Sequence, residues 1–329
     1  MRRWLTAWTA FVVAGALAVA CGGQRAPRAE APERVIGILR AVRSLEGEAN
    51  QAAFLDELRQ AGFVEGRNLR LLGGDLSEVH ADPGEAEAVV RAWAQGPLDL
   101  VVALSTSGAM AAVRGAPDRN VLFLSNDPMA TGLVRDERRP EGRLTGATFR
   151  VPADRTLELA RRVVPGAARI GFLYPSEDPS AAPVRQGTLA AARQLGIDVV
   201  DRPFVAAADI GPAFDALRDD GAVVVVIANA PTSARNFAAI RAAATATGLP
   251  VVTNTTADFA LAVLEPDVPE LYRQMARQAV RLLEGAPPSA VPVEDPARFR
   301  LVLDLRTAAG LGIDVPAEVV ALADVVMRP

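Results

Sequence analysis

The sequence predicts an α/β protein made of two doubly wound parallel-sheet lobes joined by a hinge. Three observations predict it. Short runs of β-branched and aliphatic residues alternate with longer amphipathic segments. Near-continuous Val, Ile and Leu runs joined by helices indicate parallel strands covered on both faces. The alternation restarts midway without a sequence repeat, and a chain of 329 residues is too long for one ordinary core.

The elements follow in order. RVIGILR (34–40) reads as a strand, and 48–61 as a helix with Ala52, Phe54, Leu55 and Leu58 on its apolar face. NLRLL (68–72) is a strand, and 85–95 a helix carrying Val89, Val90 and Trp93 on one side. DLVVAL (99–104) is a buried strand, a helix spans about 107–114, and VLFL (121–124) is the next strand. The rhythm resumes with a helix over 154–164 and the strand RIGFLY (169–174). A helix over about 182–195 leads to IDVVD (197–201), and 209–218 is helical. AVVVVIA (222–228) is the most apolar strand, followed by a helix over 233–247 and LPVVTN (249–254). The tail adds a helix over 268–283, the breaker EGAPPSAVP and the strand FRLVLDL (299–305). These boundaries predict lobe 1 from 34–148 plus about 260–290, and lobe 2 from 149–259 plus about 291–329.

The N-terminal end reads differently. Arg2 and Arg3 precede an uncharged apolar run from Trp4 to Ala20, then Cys21, the only cysteine. Such a run is short for a spanning helix, which needs about 20 residues, and it ends on small residues as a cleaved export signal does. Residues 1–20 are therefore expected to be a signal peptide. The segment around Cys21 resembles the bacterial lipobox, although Leu17 stands four positions before the cysteine, where the lipobox has Leu three before. That resemblance implies a lipid on Cys21, a polar tether over 21–33 and an extracytoplasmic, membrane-anchored protein.

Composition narrows the function. His80 is the only histidine, in the polar stretch SEVHADPGE, and all 35 basic residues are arginine. Histidine-based catalytic triads and histidine-rich metal sites have little to draw on. Without lysine, a Schiff base or a GxxxxGK[ST] phosphate loop is impossible. One cysteine excludes a disulfide framework. A net charge of −4 gives no electrostatic reason to expect nucleic acid. Carboxylate pairs such as Asp219-Asp220 read as solvated faces. The expectation is a binding protein with no cofactor, no metal and no catalytic residue.

LRQAGFVEGRNLRL (58–71), SNDPMATGLV (125–134), GRLTGAT (142–148), RIGFLY (169–174) and the ending PARFRLVLDLRTAAGLGIDVPAEVVALADVVM (296–327) together resemble one family of ABC-transporter substrate-binding proteins. The resemblance implies a periplasmic-binding-protein-like type I fold, capture of a small solute by hinge closure, and delivery to an ABC permease. It also implies an amino acid, or another small polar or anionic molecule, as ligand. A ligand-sensing ectodomain working with a membrane signalling receptor is the alternative role for the same fold.

In a doubly wound fold the ligand crevice lies at the carboxyl ends of the strands. Helix N-termini and short hydroxyl side chains there can hold an anion. Ser105, Thr106 and Ser107 follow the third strand, Asn126 and Asp127 the fourth, and Tyr174 and Ser176 the strand RIGFLY. Asn229 and Thr232 follow AVVVVIA, Asn254 and Thr255 follow LPVVT, and Arg40 ends the first strand. These are the candidate ligand residues; each also has a plainer role as a helix cap or turn former. One departure bears on the ligand. Aromatic-amino-acid binders of the family carry an Asp in the loop after AVVVVIA, where this chain has Asn229-Ala230-Pro231-Thr232. The missing carboxylate leaves a neutral or anionic ligand as open as an amino acid, with Asp127 and Asp258 the acids that could substitute against an ammonium. Phe149, Tyr174 and Phe259 are the nearest aromatic candidates.

Overall fold

The computed structural model describes residues 32–40, 47–75, 78–80, 82–178 and 180–329. The expected signal peptide, Cys21 and all of the tether before Pro32 lie outside the described residues. The first lobe runs β1 (Arg34–Leu39), α1 (Gly47–Gln60), β2 (Leu69–Leu72), α2 (Pro83–Trp93), β3 (Leu100–Ala103), α3 (Thr106–Gly115), β4 (Asn120–Ser125) and β5 (Leu144–Thr148). The second begins with α4 (Ala153–Val163), β6 (Arg169–Pro175), α5 (Ala181–Leu195), β7 (Asp198–Phe204), α6 (Ala207–Asp219) and β8 (Val224–Ile227). It continues with α7 (Pro231–Arg235), α8 (Phe237–Thr247), β9 (Val251–Thr253) and β10 (Ala262–Pro266). The tail adds α9 (Val268–Leu283), β11 (Phe299–Asp304), α10 (Leu305–Gly310), α11 (Ala317–Leu322) and β12 (Val325–Met327).

Among the described residues the strands form two sheets, ordered β2-β1-β3-β4-β5 and β12-β11-β10-β9-β8-β6-β7. All pairs are parallel except β10 with β11. The order reverses between β1 and β3 in one sheet and between β6 and β8 in the other, which makes two switch points. β3 and β8 are buried at every position, as near-continuous Val runs require of strands covered on both faces. Trp93 on α2 closes one face of the first sheet by lying on Gly37, where a Cβ would come within 2.6 Å of Trp93 Cε3.

The predicted elements are present, with instructive differences. β5, β10 and β12 were not anticipated: LTGAT, AVLEP and VVM are too short, or too broken by Gly and Pro, to show strand periodicity. The helix expected over 233–247 is two helices, parted at Asn236, whose Nδ2 donates to Thr232 O at 2.8 Å.

The lobe boundary also shifts. β10 pairs with β9 and β11, so 262–266 belongs to the lobe-2 sheet and not, as expected, to lobe 1. α9 does pack on lobe 1, burying Leu271, Met275 and Ala279 with Phe54 and Leu58 of α1. Residues 291–295, expected in lobe 2, instead cover the edge of β5: Thr148 N–H donates to Glu294 O, and Glu294 N–H to Gly146 O. Covering that edge satisfies backbone groups that an open strand would leave exposed.

Three crossings therefore join the lobes, at 149–152, at Asp267 and at 296–298. Arg150 on the first bonds Asp295, just before the third, at 2.8 Å and Glu137 at 2.9 Å. Thr148 Oγ1 donates to the same Asp295 at 2.6 Å. Burial lowers the affinity of Arg150 for its proton, but the hydrogen bonds to Glu137 and the charge of Asp295 outweigh it, and its pKa is raised. The first crossing joins β5 to α4 and the second β10 to α9, and Arg150 ties the first to the start of the third.

Candidate functional site

A cavity of about 530 Å³ opens at the carboxyl ends of the strands and is lined from both lobes and the hinge. That volume lies within the ~300–1,000 Å³ typical of small-molecule sites. Lobe 1 contributes Thr106, Asn126, Asp127 and the turn at Ala130–Thr131. Arg150, Val151 and Pro152 form the hinge wall. On lobe 2 a slot between α4 and α5, over β6 and β8, is lined by half-buried Val184 and exposed Gly187, with the core residues Leu157, Phe172 and Val226 almost fully buried beside them.

Five of the sequence candidates meet here: Thr106, Asn126, Asp127, Asn229 and Asn254. The others lie outside the cavity lining. Arg40 is buried, donating to Gly73 O at 3.0 Å and Asp75 O at 3.2 Å and bonding Gln51. It straps a loop to the end of β1, and desolvation lowers its pKa. Tyr272 of α9 lies in the same buried region, and burial pushes its hydroxyl up to about 12. Ser105 caps α3 by accepting from Gly108 N–H at 3.0 Å, and its Oγ lies 3.2 Å from that of Ser107. Tyr174 stacks on Phe172 at 6.0 Å with Arg185 over its ring. Ser176 N–H ties the end of β6 to Phe204 O at 3.0 Å. Thr255 Oγ1 donates to Asn229 Oδ1 at 3.1 Å, and so orients a lining residue.

Of the two acids proposed to meet an ammonium, Asp127 lines the cavity, where its Oδ1 accepts from Ala130 N–H at 2.9 Å. Asp258 is exposed and paired with Arg241. Phe259 packs edge-on to Phe237 at 5.5 Å, and Phe149 packs on the lobe-1 core.

The acid that sequence reasoning missed is Asp178. It lines the cavity from the loop after β6. Its Oδ1 accepts from Ser180 N–H at 3.0 Å and Ser180 Oγ at 2.7 Å, and its Oδ2 from Thr232 N–H at 3.1 Å. Burial pushes its pKa up, but the hydrogen bonds from Ser180 and Thr232 overcome that and hold it below its usual value. It is an anion at neutral pH. Three hydrogen bonds leave part of its lone-pair capacity and its charge for a cationic group. The sequence carries a signal for it, since YPSEDPS is polar and follows a strand.

The polar groups beside the slot are largely committed. Thr188 Oγ1 donates to Val184 O at 2.8 Å, and Asn254 Nδ2 bonds Thr156 Oγ1 at 2.9 Å and Leu264 O at 3.0 Å. The slot therefore presents mainly hydrocarbon. Above it the lining carries one arginine, already paired with two acids, and the two aspartates 127 and 178. The cavity thus brings together the two switch points, the anion of Asp178 and a mainly apolar lining.

The model of one family, ABC transporter substrate binding protein, matches residues 36–327. The chain belongs to this family. As an ABC substrate-binding protein it has the periplasmic-binding-protein-like type I architecture, with parallel sheets in two lobes. Among its relatives is a tyrosine-binding protein of Clostridioides difficile (strain R20291), 22% identical over 85% of this chain and 81% of that protein. Its fold is similar to the ligand-free, open structure of a substrate binding protein with adhesive properties from Clostridium difficile. That match has a TM-score of 0.79 and 22% identity and covers 90% of this chain and 100% of the other. It is also similar to an ABC domain in complex with L-Trp from Streptococcus pneumonia, with a TM-score of 0.66 and 23% identity over 89% and 100% of the two chains. In this ABC substrate-binding protein, no helix of the described residues is long and apolar enough to cross a membrane.

Proposed function

We propose that this chain is the extracytoplasmic, lipid-anchored receptor of an ABC importer, and that its cleft captures an α-amino acid with a large apolar side chain. The observation that carries the ligand class is Asp178: a hydrogen-bonded carboxylate fixed above an apolar slot. An ammonium entering the cleft loses water and needs such a partner. An anionic ligand would find Arg150 already neutralised and Asp178 opposing it. The relatives named for tyrosine and complexed with L-Trp support the same class.

In this reading the ammonium meets Asp178, the side chain enters the slot, and the carboxylate faces lobe 1 where α3 begins at Thr106. Ser105 caps the Gly108 N–H, and the N–H groups of Thr106 and Ser107, which helix geometry leaves without intrahelical partners, suit a carboxylate. A ligand touching both lobes stabilises the closed state over the open one and shifts the population accordingly. The closed form is what the permease receives, and binding proceeds without turnover. Arg2, Arg3, the apolar run and the lone Cys21 support export and lipidation.

Calorimetry on the purified protein tests this. Saturable 1:1 binding of an aromatic or large aliphatic L-amino acid is expected, with a negative heat-capacity change from apolar burial. N-acetylated forms should bind about 100-fold more weakly, because they lack the ammonium. Binding of a sugar or an inorganic anion, with none of any amino acid, would reject the ligand class. In the same cells, retention in the membrane fraction should require Cys21; retention of a Cys21→Ser protein would reject the anchor.

A further inference from the structure

Gly187 has no structural reason to be glycine. It sits mid-way along α5, where glycine is about 1 kcal/mol worse than alanine. It is not among the positive-φ glycines, and a Cβ built on it meets nothing within 4 Å. Neither backbone conformation nor close packing requires it. Gly37 and Gly115, by contrast, have neighbours inside 3 Å of their added Cβ, while Gly211 of α6 and Gly310 of α10 are as unconstrained as Gly187 but do not line the cavity. What Gly187 does have is a place in the cavity wall. It falls between Pro183, Val184 and Thr188, which line the same cavity and share one helix face by their three- and four-residue spacing. The same lining includes the core residues Leu157, Phe172 and Val226.

We propose that Gly187 is the specificity-determining residue for side-chain size: it keeps open the part of the slot that receives the ring of an aromatic amino acid. The proposal rests on the reading of the cavity as an amino-acid site. The glycine costs helix stability and leaves this stretch of the cavity wall without a side chain. Any side chain at 187 fills that space from the helix side, so aliphatic ligands shorter than an aromatic ring lose less than aromatic ones.

The test measures affinities of phenylalanine, tryptophan, leucine and valine for the wild type, Gly187→Ala and Gly187→Leu, with the melting temperature of each protein without ligand. Both substituents are good helix formers, so the ligand-free variants should melt at the wild-type temperature or about 2–4 °C above it. Aromatic affinity should fall roughly tenfold with Ala and about a hundredfold or more with Leu, while valine affinity changes less than about threefold. The ratio of aromatic to small aliphatic affinity thus falls along the series. An unchanged ratio in Gly187→Ala and Gly187→Leu, with wild-type aromatic affinity, would overturn the proposal. Should the wild type bind none of the four amino acids, the reading of the cavity itself fails, which is a separate outcome.

Discussion

Asp178→Asn is expected to weaken amino-acid binding by at least about 100-fold, the scale of leaving a desolvated charge unpaired. The substitution keeps the shape of the side chain and an oxygen to accept from Thr232 or Ser180, while removing the charge. A structural effect of the loop is separable by a cycle. Wild type should discriminate strongly between an amino acid and its des-amino analogue, and Asp178→Asn should lose most of that discrimination. Equal weakening of both ligands would assign Asp178 a purely structural role. The pH dependence follows from the direction of its pKa. Because hydrogen bonds hold the carboxyl below its usual value, affinity should stay flat through the ordinary aspartate range near about 4 and fall only below it. A loss of affinity centred above that range would contradict the assignment.

Gly146→Ala is expected to cost about 3 kcal/mol or more of folding stability, at the upper end for overpacking in a tight interior. Gly146 of β5 stands opposite Phe123 of β4 in the parallel ladder. An added Cβ would overlap the Phe123 carbonyl oxygen and lie 2.7 Å from Phe123 Cδ2. Phe123 is fully buried, so neither its ring nor its backbone can yield without opening the sheet. The carbonyl of Gly146 also accepts from Gln278 Nε2 at 2.9 Å and from Glu294 N–H at 3.0 Å, tying β5 to α9 and to the segment that covers the edge. A lowering of the melting temperature by roughly 6 °C or more should result, at about 2–4 °C per kcal/mol for chains of this order of size. Melting within about 1 °C of wild type would show that the β4–β5 contact is far looser than this geometry requires.

The two effects differ in how visible they were beforehand. The long-range architecture was legible because Val/Ile/Leu runs and amphipathic spacing are repeated many times over. Strands such as 222–228 could be nothing but buried parallel strands. Short strands were illegible for the opposite reason. Ala262–Pro266 contains Glu265 and ends in Pro, yet it is a strand because Glu265 is answered by Arg300 and by Thr256, neither near in sequence. That pairing also decides the lobe boundary, which spacing alone put in the wrong place.

The site was half legible. Strand ends in a doubly wound fold point to the crevice, and Thr106, Asn126, Asp127, Asn229 and Asn254 follow from that rule alone. Arg40 ends a strand as well, but three acceptors consume its guanidinium away from the cavity. Asp178 belongs to the next loop over, and only folding reveals that its carboxylate reaches the amide of Thr232, inside the loop that lacks an acid of its own. Gly187 gives no sequence signal, since a glycine in a helix is informative only when nothing lies above it.

The most direct measurement is a crystal structure with the tightest-binding amino acid in the cleft. The ammonium nitrogen is expected about 3 Å from a carboxylate oxygen of Asp178, with the side chain against Gly187 and the carboxylate toward Thr106. A ligand bound the other way round, with its side chain against lobe 1 and Asp178 facing only water, would contradict this placement.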